Sequence, residues 1–208
     1  FMKGKKNFVV FGTGGSNLGA RALVSINNKK NNISFYENID PIFFEKSFNN
    51  IDFNSTGFIV ISKSGTTPET LSQLGSITEV ASKNCKLKTL FSNTLIITEF
   101  INSPLFNISK ENKCLILEHN KNIGGRYSVF SNVGLVPAII AGLDVKEIYK
   151  GALDILNQLE NYDFLKIGQI LKYQNNLNLT TNVIMTYSDS LYYFGKWYLQ
   201  LWAESIGK

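Results

Sequence analysis

The sequence predicts an α/β fold, a three-layer α/β/α sandwich around a mostly parallel, doubly wound sheet. Three observations carry that prediction. Short apolar runs rich in β-branched residues recur along the chain, as in strands covered on both faces. Stretches of helical character alternate with them at the spacing of crossover connections. Turns crowded with glycine and hydroxyl residues follow two of the runs, at the place where such sheets hold their ligands.

Taken in order, Asn7-Phe-Val-Val-Phe-Gly12 is the first buried strand. Gly12-Thr-Gly-Gly-Ser-Asn-Leu-Gly19 follows, then a helix to about Ser25. The turn meets the dinucleotide pattern G-x-G-x-x-G only loosely: Gly12 and Gly14 fit, but Asn17 stands in place of the third glycine. Glu37, after the second strand Asn32–Tyr36, would be the acidic residue such a site needs. The same turn also suits close approach to a small polar ligand, with an N–H from Gly15 and a hydroxyl from Ser16. Asp40 caps the next helix and Pro41 occupies its first position.

Phe58–Ile61 is the third strand, and Ser62-Lys-Ser-Gly-Thr-Thr67 is the turn after it. Gly65 permits a tight bend, and Thr66 or Thr67 caps a helix running from Pro68 to about Ser82. Glu69 lies three residues beyond Thr66, as in a capping box. The first amides of a helix lack internal partners and sit at the positive end of its dipole. With the hydroxyls of Ser62, Ser64, Thr66 and Thr67 and the charge of Lys63, this predicts a site for a phosphate monoester. The plain alternative is a capped turn with no ligand; four hydroxyls and a lysine so close together favour binding.

Thr94–Thr98 and Cys114–Glu118 complete the strands of this region, with a short helical piece between. Gly124-Gly-Arg-Tyr-Ser-Val-Phe-Ser131 places Arg126 just before an apolar helix, Val129 to Leu143. That arginine can neutralise an oxyanion or simply tie down a loop. A helix from Asp144 to about Glu160 and another from Phe164 to about Leu177 follow, the second leading out of the first domain. Asn182–Tyr187 is a further strand, and Leu191–Ser205 an aromatic helix most of whose rings belong to a core rather than to a ligand site. Glu204 follows an apolar run, where desolvation would favour a base. It also lies four residues from the chain end, and spacing alone makes it a solvated helix end.

Bulk properties narrow the function. With 208 residues, 44% hydrophobic and 18% charged, the chain can bury a sizeable core and does not have a disordered composition. The net charge of +5 comes without an arginine-rich stripe, which argues against nucleic acid and suits small anionic ligands. No apolar run approaches the roughly 20 residues of a membrane span, and no signal peptide is visible. Cys85 and Cys114 form neither a metal motif nor a disulfide framework, and are read as reduced core residues of a cytoplasmic protein. Phe1 ahead of Met2 is unlike a natural start, so the chain reads as an internal fragment or one with an added residue.

Phe8–Gly19, Phe58–Thr70, Gly124–Gly134 and Gln200–Lys208 together resemble the signature stretches of the glucose-6-phosphate isomerase family, and the likeness spans nearly the whole chain. SKSGTTPET, GGRYSVFS and QLWAESIGK are jointly very specific. The resemblance implies two sugar-isomerase (SIS) domains of flavodoxin-like type. The first would occupy residues 1–160, and 161–208 would be a linker helix with the opening strand and helix of a truncated second. By that likeness Ser62, Lys63, Ser64 and Thr67 hold the phosphate, and Gly15 and Ser16 contact the sugar. Arg126 stabilises an enediolate, Glu204 carries a proton between C2 and C1, and Gln200 is a substrate-side glutamine. It thereby overrides the solvated-end reading of Glu204. No metal or organic cofactor is implied. The full protein is expected to be a homodimer acting on glucose 6-phosphate and fructose 6-phosphate in glycolysis and gluconeogenesis. The family's histidine and lysine from later sequence are missing here, and His119 does not match that histidine; it is read as a surface or capping residue. A non-catalytic sugar-phosphate-binding SIS module is the alternative reading.

Overall fold

The computed structural model describes residues 1–27, 31–157 and 179–207, together with 168–169, 172–173 and 176–177. Its centre is a five-stranded sheet, parallel throughout, formed by β1 (Asn7–Phe11), β2 (Ile33–Tyr36), β3 (Thr56–Ile61), β4 (Thr94–Thr98) and β5 (Leu115–Glu118). The spatial order is β2-β1-β3-β4-β5, the flavodoxin-like order, which reverses direction between β1 and β3. The sequence expectation of a doubly wound α/β sandwich is met.

Alternation along the strands fills both faces. Val9, Phe11, Phe58, Val60 and Ile96 point to one face, with Phe44 and Phe48 of α2 (Pro41–Phe48) and Leu74 and Ile77 of α3 (Pro68–Lys83). Leu90 of α4 (Leu87–Ser92) and Leu105 of α5 (Pro104–Glu111) complete that layer. Phe8, Val10, Ile59, Ile61, Leu95 and Ile97 point the other way, onto Val133 of α6 (Asn132–Ile140). Helix α1 (Leu18–Ile26) packs beside α6 and buries Ala20, Ala22 and Val24. Central β3 is buried at every position, as its unbroken apolar run requires.

Asp40 caps α2 as expected, accepting from the amides of Ile42 and Phe43 at 3.0 and 3.1 Å. Helix α7 (Val145–Asn157) follows α6. The helix expected from Phe164 to Leu177 falls largely outside the described residues. Two expectations need correction. Asn182–Tyr187 carries no regular secondary structure: no neighbouring strand in the described residues bonds it, so no ladder forms. In α8 (Tyr192–Ile206) only Gly195 is fully buried; its aromatics cover α1 on one side and leave Tyr192 and Phe194 exposed, so they are not a closed core.

Candidate functional site

All five strands end their carboxyl termini on one rim, because every pairing is parallel and in near-level register, Phe11 beside Val60 and Ile61 beside Ile97. The hydroxyl turn and the Gly14–Ser16 turn leave neighbouring strands at the order reversal, so they face the same space.

The hydroxyl turn is stitched by its own side chains. Ser62 is buried, and its amide continues the ladder to the Ile97 carbonyl at 3.1 Å. Its Oγ accepts from the Gly65 amide at 3.1 Å and pairs with Thr67 Oγ1 at 2.8 Å. Ser64 Oγ pairs with Thr66 Oγ1 at 2.8 Å and accepts from the Thr66 amide at 3.2 Å. Gly65 adopts φ 68°, a left-handed conformation, and a Cβ there would run into the Ser103 hydroxyl. The expected capping box is not formed. Thr67 is the N-cap of α3, so Glu69 stands only two residues on, and the Thr67 hydroxyl bonds Ser62 instead of a helix amide. The first turn of α3 thus lacks a cap from its N-cap side chain, the arrangement an incoming anion exploits.

The opposite wall is assembled from distant segments. Gly15 packs so tightly on the Gly125–Arg126 peptide that a Cβ would overlap it. Ser128 Oγ reaches the Gly15 carbonyl at 3.2 Å and the Gly125 carbonyl at 2.6 Å, locking the Gly14–Ser16 turn to the 3₁₀ turn Gly125–Phe130. Trp197 Nε1 donates to the Arg126 carbonyl at 3.1 Å and pins α8 to that turn. Arg126 Nε donates to Ser205 Oγ at 3.0 Å, and its Nη1 lies 3.5 Å from Glu204 Oε2. The guanidinium also stacks on the Tyr127 ring, 4.6 Å from its centroid. Tyr127 pairs with Ser205 Oγ at 2.7 Å; that bond first, then Arg126, holds its hydroxyl below the ordinary phenolic value. Gln200, one turn before Glu204, donates to Glu204 Oε1 at 2.9 Å.

These walls enclose an open cleft of about 430 Å³. Gly15 and Ser16 line one side, Lys63, Ser64 and Thr67 another, and Arg126, Gln200 and Glu204 a third. Ser62 does not line it and lies beneath the turn. Glu204 remains partly exposed, as its spacing predicts, yet faces the cleft, as the family resemblance implies.

One feature is unread in the sequence, and two expectations need correction. Glu99 lines the cleft from the end of β4, 3.7 Å from Lys63 Nζ. The rule that ligands gather at strand carboxyl ends applied to Thr98-Glu99 as well as to Ser62. His119, expected as a surface or capping residue, is fully buried after β5, where its amide donates to the Thr98 carbonyl at 2.9 Å. Its Nδ1 faces the Asn120 carbonyl at 3.3 Å. Burial pushes its pKa below the ordinary 6.5, with Lys63 adding to that and Asn120 and Glu99 opposing. Cys85, expected in the core, is exposed at φ 56°, whereas the half-buried Cys114 has its thiol pushed up to about 11 by desolvation.

The dinucleotide alternative loses its support. Asn17 is buried and donates to the Gly12 carbonyl at 3.0 Å, closing the turn on itself. Glu37 pairs with Arg21 at 3.4 Å, and Gly125 covers the backbone of Gly15. Among the described residues no group of three or more His, Cys, Asp or Glu could hold a metal ion.

Comparison with known proteins agrees with the motif reading. The family model for phosphoglucose isomerase matches residues 2–208. A protein of Methanococcus maripaludis named probable glucose-6-phosphate isomerase is 33% identical over 220 residues, which cover 100% of this chain and 49% of that one. The chain spans about half the length of the curated relatives it matches. A hypothetical protein of Thermus thermophilus superposes with a TM-score of 0.89 at 28% identity, over 98% of this chain and 50% of that one. A glucose-6-phosphate isomerase from Chlamydia trachomatis has a TM-score of 0.78 at 24% identity, over 99% and 41%, and shares the fold. With its motifs, sheet order and cleft in place, the chain belongs to the phosphoglucose isomerase family.

Proposed function

We propose that the cleft is the larger part of an aldose–ketose isomerase site, interconverting glucose 6-phosphate and fructose 6-phosphate through a cis-enediolate in the full-length protein. The phosphate sits on Ser64, Thr67 and the amides of the hydroxyl turn, with Lys63 beside it and Ser62 stiffening the turn from below. The sugar lies along Gly15 and Ser16. Glu204 removes the proton from C2 of the open-chain sugar and delivers it to C1. The carbonyl oxygen takes up the electron pair as that proton leaves, the fixed charge of Arg126 stabilises the oxyanion, and the O2 proton passes to O1 as C1 is protonated, leaving the carbonyl at C2. Gln200 holds the carboxylate in place through Oε1.

The observation that carries this reading is that Ser16, Ser64 and Arg126, from three separate segments, open onto one cleft together with Glu204. A 6-phosphogluconate titration followed by NMR tests the binding half: amide shifts are expected across residues 62–67, and their absence refutes it. The chain alone is expected to show little or no turnover in a coupled assay, because the family's later histidine and lysine are not in it; near-normal turnover would contradict that. In the full-length protein, Glu204→Gln should lower kcat at least about a hundredfold.

On this reading residues 1–160 form a first SIS domain and 161–208 the start of a second. The complete protein is a cytoplasmic homodimer of glycolysis and gluconeogenesis. The second reading, a non-catalytic sugar-phosphate-binding module, is favoured by the 48% exposure of the Glu204 side chain. A sensor needs the hydroxyl turn but neither Arg126 nor Glu204, so Glu204→Gln would leave its function intact.

A further inference from the structure

One charged group in the cleft has no part in the proposed chemistry. Glu99 follows β4, and its amide donates to the Lys63 carbonyl at 3.0 Å. Thr98 Oγ1 reaches the same carbonyl at 3.3 Å. Residues 98 and 99 are therefore sewn to the backbone of residue 63, which sets the carboxylate beside the lysine it pairs with, at 3.7 Å. Lys63 Nζ also donates to the Lys121 carbonyl at 2.9 Å, in the loop after β5. Both side chains line the cleft, Lys63 32% and Glu99 18% exposed.

We propose that Glu99 is a positioning residue of the anion site: an internal counter-anion that keeps Lys63 parked against the Lys121 carbonyl until a ligand phosphate displaces it. This rests on the reading of residues 62–67 as a phosphate site. Four charged side chains line the cleft, and they stand in two pairs, Lys63 with Glu99 and Arg126 with Glu204. Without ligand each cation already has a carboxylate, so the cleft carries no net charge from these groups. A phosphate arriving at Ser64 and Thr67 competes with Glu99 for the ammonium. A dianionic monoester outbids a single carboxylate; a monoanion gains little. Glu99 thereby lowers affinity and favours ligands with two charges.

The test uses this chain, inorganic phosphate, and the variants Glu99→Gln, Lys63→Met and both together. NMR titration of the amides of residues 62–67 gives the affinities. Glu99→Gln is expected to tighten phosphate binding about fivefold, the scale of a partly exposed ion pair. Lys63→Met should weaken binding, and Glu99→Gln should have no further effect on that background. Without ligand, the acylation rate of Lys63, read by mass spectrometry, should rise severalfold in Glu99→Gln while other lysines stay unchanged. Weaker or unaltered phosphate binding in Glu99→Gln overturns the proposal. So does equal tightening on the Lys63→Met background, which would mean the carboxylate acts only through its field. If no variant binds phosphate, the functional reading of the turn fails, and the acylation rates alone decide whether Glu99 parks Lys63.

Discussion

The hydroxyl turn rises directly from a strand buried on both faces, and its hydroxyl pairs lie within a few residues of one another. Arg126 and Glu204 reach the same cleft from segments 78 residues apart, steered by a third segment at Gly15 that lies 113 residues from Ser128. One wall is therefore a local product of the sheet, and the other is a joint between distant parts. The contrast separates two design demands. Anion capture needs a preorganised turn, which a short stretch of sequence can supply. On the proposed reading, proton transfer needs a base and a cation at a set distance, and the placing of Arg126 and Glu204 depends on tertiary packing of α8 on the rim.

Substitutions can break either wall. Gly15→Ala attacks the joint: its Cβ overlaps the Gly125–Arg126 peptide, and backbone cannot step aside cheaply. A loss of about 3 kcal/mol in chemical denaturation is expected. Gly65→Ala attacks the local wall, combining a left-handed φ with the Ser103 contact. About 2 kcal/mol is expected there, with loss of phosphate-induced shifts in residues 62–67.

His119 adds a pH dependence under the local wall. Its folded pKa is depressed, so the unfolded chain binds a proton that the folded one resists. The stability this group contributes is complete above its unfolded value of 6.5 and is lost as pH falls toward the folded one. Denaturation midpoints measured across that window should decline with acidification, and the decline should be shallower in His119→Asn. Arg126→Ala has the smallest expected effect on folding. Its partners are partly exposed, so stability should change by under about 1 kcal/mol, even though the proposed chemistry depends on it.

What the sequence disclosed follows the same division. The five strands, the cap at Asp40 and the hydroxyl turn were legible because each is encoded by neighbours in the chain. Periodicity also placed α3 within a residue of its observed end. Of the two expected capping residues, Thr66 and Thr67, the second stands at the N-cap, but propensity does not show that Ser62, five residues back, takes its hydroxyl. Glu99 goes unread, and His119 is read as a surface or capping residue, because their surroundings come from other strands. Spacing alone would have dismissed Glu204; only the joint motif, and then the packing of Trp197 on Arg126, carries it to the cleft. The strand foreseen at Asn182–Tyr187 had the right residues but, among the described residues, no neighbour to pair with.

That last stretch has a practical consequence. Thr180 to Tyr187 contains no charged residue, and Val183, Met185 and Tyr187 stand 70%, 67% and 92% exposed. Open backbone beside uncovered β-branched and aromatic groups is adhesive toward copies of itself. Concentrated preparations of the chain should therefore cloud before dilute ones do, and solubility, more than unfolding, should set the ceiling for handling it.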